Sequence, residues 1–115
     1  MPKDYQSMIA DISAYTADLR KAEPGTMTGF YQMAKSATED DALDKRTKEL
    51  IAMSIGVALR CDGCIGFHAK ALVDLGVSRE ELTDALAMSI YMGGGPSVMY
   101  AADALRAFDQ FADAA

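Results

Sequence analysis

The sequence holds a single histidine and only two cysteines. Their chemistry therefore depends on where so few residues stand. No run approaches the ~18 uninterrupted apolar residues of a membrane span, and the opening, MPKDYQSMIADIS, lacks the apolar centre of a secretory signal. These absences predict a cytoplasmic protein with no membrane partner. No basic run is present, and 17 acidic against 11 basic residues leave a formal charge of -6. That balance disfavours nucleic acid and anionic membrane surfaces as partners. The acidic stretch TEDDALD has neither the spacing nor the glycine of a calcium loop and reads as a solvated connection. Gly93-Gly94-Gly95-Pro96 has no preceding strand, no following lysine and no Rossmann spacing, which argues against a nucleotide loop.

What is present concentrates in KELIAMSIGVALRCDGCIGFHAKAL, which carries Glu49, Cys61, Cys64 and His68. Two cysteines three apart on a helical turn come within disulfide reach, and His68 stands one turn beyond Cys64. A helix opening at the cysteines groups Cys61, Cys64 and His68 with Ile65, Leu72 and Leu75. It leaves Asp62, Gly66, Lys70 and Asp74 on a solvent face. A thiol attacks as its thiolate, favoured here by a helix N-terminus, an imidazole and a neighbouring thiol, and opposed by Asp62. Lowering a thiol pKa by two units takes about 2.7 kcal/mol. The helix dipole supplies about 0.3–1 kcal/mol, so His68 is expected to supply much of the rest.

Glu49 lies twelve residues before Cys61, about 18 Å away along one continuous helix. A hairpin turning near Arg60 instead brings Glu49 alongside His68 or one turn beyond it. There it is expected to be partly buried beside LIAMSIGVAL and to accept a proton through His68 or a water.

The rest of the chain reads as helices. Tyr5, Met8, Ile12, Tyr15 and Leu19 predict an amphipathic helix stopped by Pro24-Gly25. A second runs from Thr26 to Ala37 with Met27, Phe30, Met33, Ala34 and Ala37 on one face and Thr26 available as its cap. Asp44 is the expected N-cap of the third, whose apolar residues on nearly every side predict subunit contacts. Leu75-Gly76 closes the fourth, and Ser78 and Glu81 have the spacing of a capping box for a fifth, running to about Met92 with Leu82, Ala85, Leu86 and Ser89 inward. Pro96 opens a last helix carrying Val98, Ala101, Ala102, Leu105 and Phe108. Tyr91, Met92, Met99 and Tyr100 are expected as core, or as walls of the thiol pocket. The fold class is thus all-α, about six helices around a central antiparallel hairpin, with the CxxC at the N-terminus of the fourth helix and residues 1–115 forming one domain.

Glu49, eleven residues, Cys61, two residues, Cys64, three residues, His68 resembles the signature of AhpD-like alkylhydroperoxidases of the carboxymuconolactone decarboxylase family. The likeness continues through GVSREELTDAL, while the first forty residues add little to it. It implies an AhpD-like helical bundle and an oligomer, hexamer or trimer. It also implies an antioxidant peroxidase or disulfide reductase without a cofactor or metal: Cys64 is the thiol activated by His68 and Glu49, and Cys61 is its disulfide partner. A small hydroperoxide or a partner-protein disulfide would be reduced, and an external thiol, carried by a peroxiredoxin or a lipoyl protein, would restore the pair. The mycobacterial-type enzyme has a second histidine just before the second cysteine, where this chain has Gly63, so the relay holds one element fewer.

Three other readings stand beside it. His68 could serve as acid or base in lactone decarboxylation, although decarboxylase members of the family lack the cysteine pair. The cysteines and His68 could hold zinc, with Glu49 or water as fourth ligand, in a non-enzymatic helical oligomer. The pair could also be purely structural, although so short a loop restrains little of the unfolded chain. A c-type haem is excluded because Ile65, not histidine, follows Cys64.

Overall fold

Short polar side chains that accept from free N–H groups open three of the helices. The computed structural model describes residues 2–115 and contains α1 (Tyr5–Ala22), α2 (Pro24–Thr38), α3 (Lys45–Ala58), α4 (Asp62–Asp74), α5 (Arg79–Gly93) and α6 (Gly95–Ala114). No strand occurs among the described residues. Asp4 accepts from the N–H groups of Gln6 and Ser7, Asp44 from that of Thr47, and Ser78 and Glu81 form the expected reciprocal capping box. Thr26 does not cap α2. That helix starts at Pro24, whose missing N–H suits the first turn, and Glu23 offers no side-chain cap.

Both arms of the central hairpin end in the same backbone motif. At the end of α4, Gly76 takes φ 72°, its N–H bonds to Val73 O, and the Val77 N–H bonds to Leu72 O. At the end of α3, Arg60 takes φ 58°, its N–H bonds to Val57 O, and the Cys61 N–H bonds to Gly56 O. These are Schellman closures, and the one leading into the cysteines places a side-chain-bearing residue where glycine is usual.

The core is built around α4. Ile65, Ala69 and Leu72 share one buried cluster with Met53 and Val57 of α3 and Ala104, Ala107 and Phe108 of α6, and Leu82 and Leu86 of α5 join it by packing on α3 and α6. Tyr5 and Ile9 close it from α1. The antiparallel course of α3 and α4 is visible in their facing residues: Gly56 meets Cys64, and Glu49 meets His68.

Several faces differ from expectation for one reason, the close approach that small residues allow. Gly66 is buried rather than solvated, because a Cβ there would meet Ile9 Cγ2 and stand 3.3 Å from Tyr5 Cδ1. Asp62 on the same face is half-buried and paired with Lys3 at 2.9 Å. Consequently Ile9, not Tyr15 or Leu19, is the inward companion of Tyr5 on α1, and the latter two are 70% and 51% exposed. On α6 the alanine stripe Ala101, Ala104 and Ala107 turns inward with Phe108 and Phe111, while Val98 and Ala102 are exposed. Tyr91, Met92 and Met99 are exposed too; only Tyr100 packs against the core.

These contacts predict opposite effects of one substitution at two helical glycines. Gly66→Ala should destabilise the fold by about 1–2 kcal/mol, overpacking outweighing the gain in helix propensity. Gly29→Ala, in α2 with nothing within 4 Å of the added Cβ, should stabilise it by about 0.5–1 kcal/mol. Urea unfolding of both variants at matched protein concentration measures the difference in sign.

Candidate active site

Cys61 is the N-cap of α4, and its sulfur accepts from the Cys64 N–H at 3.1 Å. The two cysteines are joined in a disulfide, with their Cα atoms 5.2 Å apart. The structure therefore shows the oxidised form of the pair. Gly56 makes room for it on the facing helix, since a Cβ there would stand 3.1 Å from Cys64 Cβ. A glycine in the interior of an apolar helix costs stability, and this close approach is the structural reason for it.

One turn along α4, His68 Nδ1 lies 2.6 Å from Glu49 Oε2. Glu49 is only 6% exposed, and the hydrogen bond to the imidazole is what allows a carboxyl group to sit inside the hairpin. Of the two expected positions, the one directly alongside His68 is the one observed. With Nδ1 engaged, Nε2 is the ring nitrogen left for other chemistry.

Asp62 is the acid that would oppose a thiolate at the start of α4. It accepts from Lys3 Nζ at 2.9 Å and from the Tyr5 hydroxyl at 3.1 Å, and Lys3 also reaches Asp103 at 2.8 Å. The two carboxylates hold the Lys3 ammonium well above its usual pKa. Burial, with the nearby charges of Asp103 and Asp62, pushes the Tyr5 phenol upward as well. The charge beside the cysteines is thus matched by a cation from the start of the chain.

Cys64 and His68 line one open cavity of about 560 Å³ between α1, α2 and α4. Met27, Phe30, Tyr31 and Ala34 of α2 form one wall, and Ser13, Thr16, Leu19 and Arg20 of α1, at helical spacing, form another. Phe67 completes the floor beside Cys64 and His68. The α2 face expected from periodicity exists, but none of its residues is buried, because it borders this cavity instead of packing into the core. Tyr91, Met92 and Met99 do not line it.

The structure thus brings all four residues singled out from the sequence into one region: Cys61 bonded to Cys64, and His68 beside Glu49. It adds Gly56 and the cavity walls. Interior glycine was a readable signal for the former; nothing local marks Arg20 or Phe30 as neighbours of Cys64. Gly63, where the resembled enzyme has a histidine, lies under α1, and a Cβ there would stand 3.2 Å from Ile12 Cδ1. Among the described residues, no cluster of three or more histidine, cysteine or acidic side chains is arranged to hold a metal ion.

Comparison with known proteins agrees with this architecture. Residues 24–107 match the model of the carboxymuconolactone decarboxylase family. A member of that family from Legionella pneumophila, solved in its apo form, is 55% identical with a TM-score of 0.92, over 94% of this chain and 96% of that one. An uncharacterized protein from Cupriavidus necator is 38% identical over 109 residues, 95% of this chain and 96% of its own. A family protein from Thermotoga maritima shares the fold, with a TM-score of 0.82 at 23% identity over 92% of this chain and 91% of that one. With a family match that runs from the α2 wall of the cavity through Glu49, both cysteines and His68, this chain belongs to the carboxymuconolactone decarboxylase family.

Proposed function

We propose that the protein is an AhpD-like thiol oxidoreductase in which Cys64 and Cys61 reduce a hydroperoxide or a partner disulfide. The observation that carries this reading is the contact of His68 with buried Glu49, on the imidazole that shares a cavity with Cys64. Glu49 holds the ring with Nδ1–H donating, so Nε2 can take the Cys64 proton. The thiolate attacks the distal peroxide oxygen, the O–O bond breaks, and the alcohol leaves with a proton. Cys64 is then a sulfenic acid. The Cys61 thiol attacks its sulfur, the S–S bond forms, and water departs. Two thiols have supplied two electrons, and the product is the disulfide. A partner disulfide would instead give a mixed disulfide that Cys61 resolves, and an external dithiol restores the pair in either case. Cys64 is assigned the attacking role because it lines the cavity and Cys61 does not.

We propose further that the protein self-associates, as a trimer or hexamer. A groove of about 490 Å³ between α3 and α5 is walled by Leu50, Ile51, Ile55, Met88 and Met92. Ile51, Ile55, Met88 and Met92 are 44%, 53%, 59% and 76% exposed, a continuous apolar surface of the kind that marks an interface. The expectation of cover on several sides of α3 comes from the same residues.

Reduced protein treated with one equivalent of organic hydroperoxide should lose both thiols to an intramolecular disulfide. His68→Ala should slow that loss about 10²-fold or more, Glu49→Gln should slow it less, and Cys64→Ser should abolish it. Cys61→Ser should stop at a sulfenic or mixed-disulfide adduct. Undiminished turnover in both single cysteine variants overturns the thiol reading, and carboxymuconolactone turnover that survives loss of both thiols favours the decarboxylase alternative.

Light scattering should give a mass of three or six chains, and Ile55→Glu combined with Met88→Glu should lower it. A wild-type monomer at micromolar concentration defeats that proposal.

A further inference from the structure

The protein carries 17 acidic residues and a formal charge of -6, yet no acidic side chain lines the cavity that holds Cys64 and His68. Arg20 is the one permanently charged residue on its walls. Among the described residues it has no carboxylate partner. Its guanidinium lies over the ring of Tyr31, 6.0 Å from the centroid, which orients the group without neutralising it. A cation in the last turn of α1 complements the helix dipole, but Lys21 provides that already. The dipole does not account for a guanidinium placed on the same stripe as Ser13 and Thr16, facing an apolar wall of Met27, Phe30 and Ala34.

A cavity with an apolar α2 wall, an α1 wall of Ser13, Thr16 and Leu19, and at its exposed edge a guanidinium without a carboxylate partner is complementary to a molecule with an apolar body and an anionic end. Its volume of about 560 Å³ lies within the range of small-molecule sites. We infer that the site binds carboxylate-bearing apolar molecules, with Arg20 as the anchor for the carboxylate, and that its preferred oxidant is a hydroperoxide of a medium-chain carboxylic acid. Arg20 offers a fork of donors to the two carboxylate oxygens. The apolar chain lies along Met27, Phe30 and Phe67, and the peroxide reaches Cys64. The preference for this oxidant rests on the peroxidase reading; binding of the anion does not. Reduction follows the balance given above: the acid hydroperoxide and two thiols give the hydroxy acid, water and the disulfide. A neutral lipoyl arm uses the apolar wall alone and leaves Arg20 without a partner.

Two measurements separate this inference from the reaction on which part of it rests. In the first, octanoate and methyl octanoate are titrated calorimetrically into the intact oxidised protein, where no turnover occurs. The acid should bind about tenfold more tightly than the ester, a difference that weakens with salt. Arg20→Met should bring the ratio to about one, and Arg20→Lys should retain part of it. In the second, reduced protein is mixed with an ω-hydroperoxy octanoic acid or its methyl ester, and thiol loss is followed against concentration. The acid should be preferred about tenfold through its half-saturating concentration rather than through the limiting rate of this single turnover, and Arg20→Met should erase that ratio. Equal affinity for acid and ester in the wild type, or a ratio untouched by Arg20→Met, overturns the anchor. A binding preference without thiol loss supports the anchor and overturns the peroxide chemistry. Thiol loss without acid preference does the reverse.

Discussion

The backbone approach of α3 to α4 is the constraint on which the site depends. Gly56 permits it, because any larger side chain would press on Cys64. Once the helices lie this close and antiparallel, Glu49 is carried to His68, and the 2.6 Å contact supplies the partner that a buried carboxyl group requires. That contact leaves Nε2 free on a ring that lines one cavity with Cys64. The packing of the hairpin and the seating of His68 are thereby set by the same helix pair.

The two N-terminal helices add what the hairpin lacks. α1 settles onto Gly63 and Gly66, and so places Lys3 and the Tyr5 hydroxyl on Asp62, the acid between the cysteines. α2 contributes nothing to the core, and its apolar face stands open as a wall of the cavity. The first forty residues bear little on the cysteine signature, yet they set the electrostatics at its edge and the shape of the space before it. The contrast between an acidic protein and a cavity free of acid also arises here, since the residues concerned come from separate helices.

Helix ends were legible because caps are local. Asp44, Ser78 with Glu81, and Gly76 act within a turn of where they stand in the chain. The Glu49–His68 pairing was legible for a related reason: once a hairpin near Arg60 is accepted, helical rise dictates which residues can meet. Faces were less legible. Hydrophobic periodicity weights large side chains such as Tyr15, Leu19 and Val98, which the structure leaves exposed, whereas it buries the small Gly66, Ala104 and Ala107. Small residues let neighbouring helices approach closely, and that preference depends on the partner surface rather than on the stripe itself.

The sequence by itself determined the arrangement of Cys64 and His68, because two residues four apart on one helix have their separation dictated by its 3.6-residue period, and it placed Cys61 at the N-terminus of the same helix, within reach of Cys64. It determined the six helices and most of their ends in the same local way. Only the tertiary structure decided that Glu49 is buried against Nδ1, that Lys3 balances Asp62, and that Arg20 and Phe30 share a cavity with Cys64. Those meetings join surfaces far apart in the chain, and which surfaces meet is settled by the mutual fit of all six helices rather than by the period of any one.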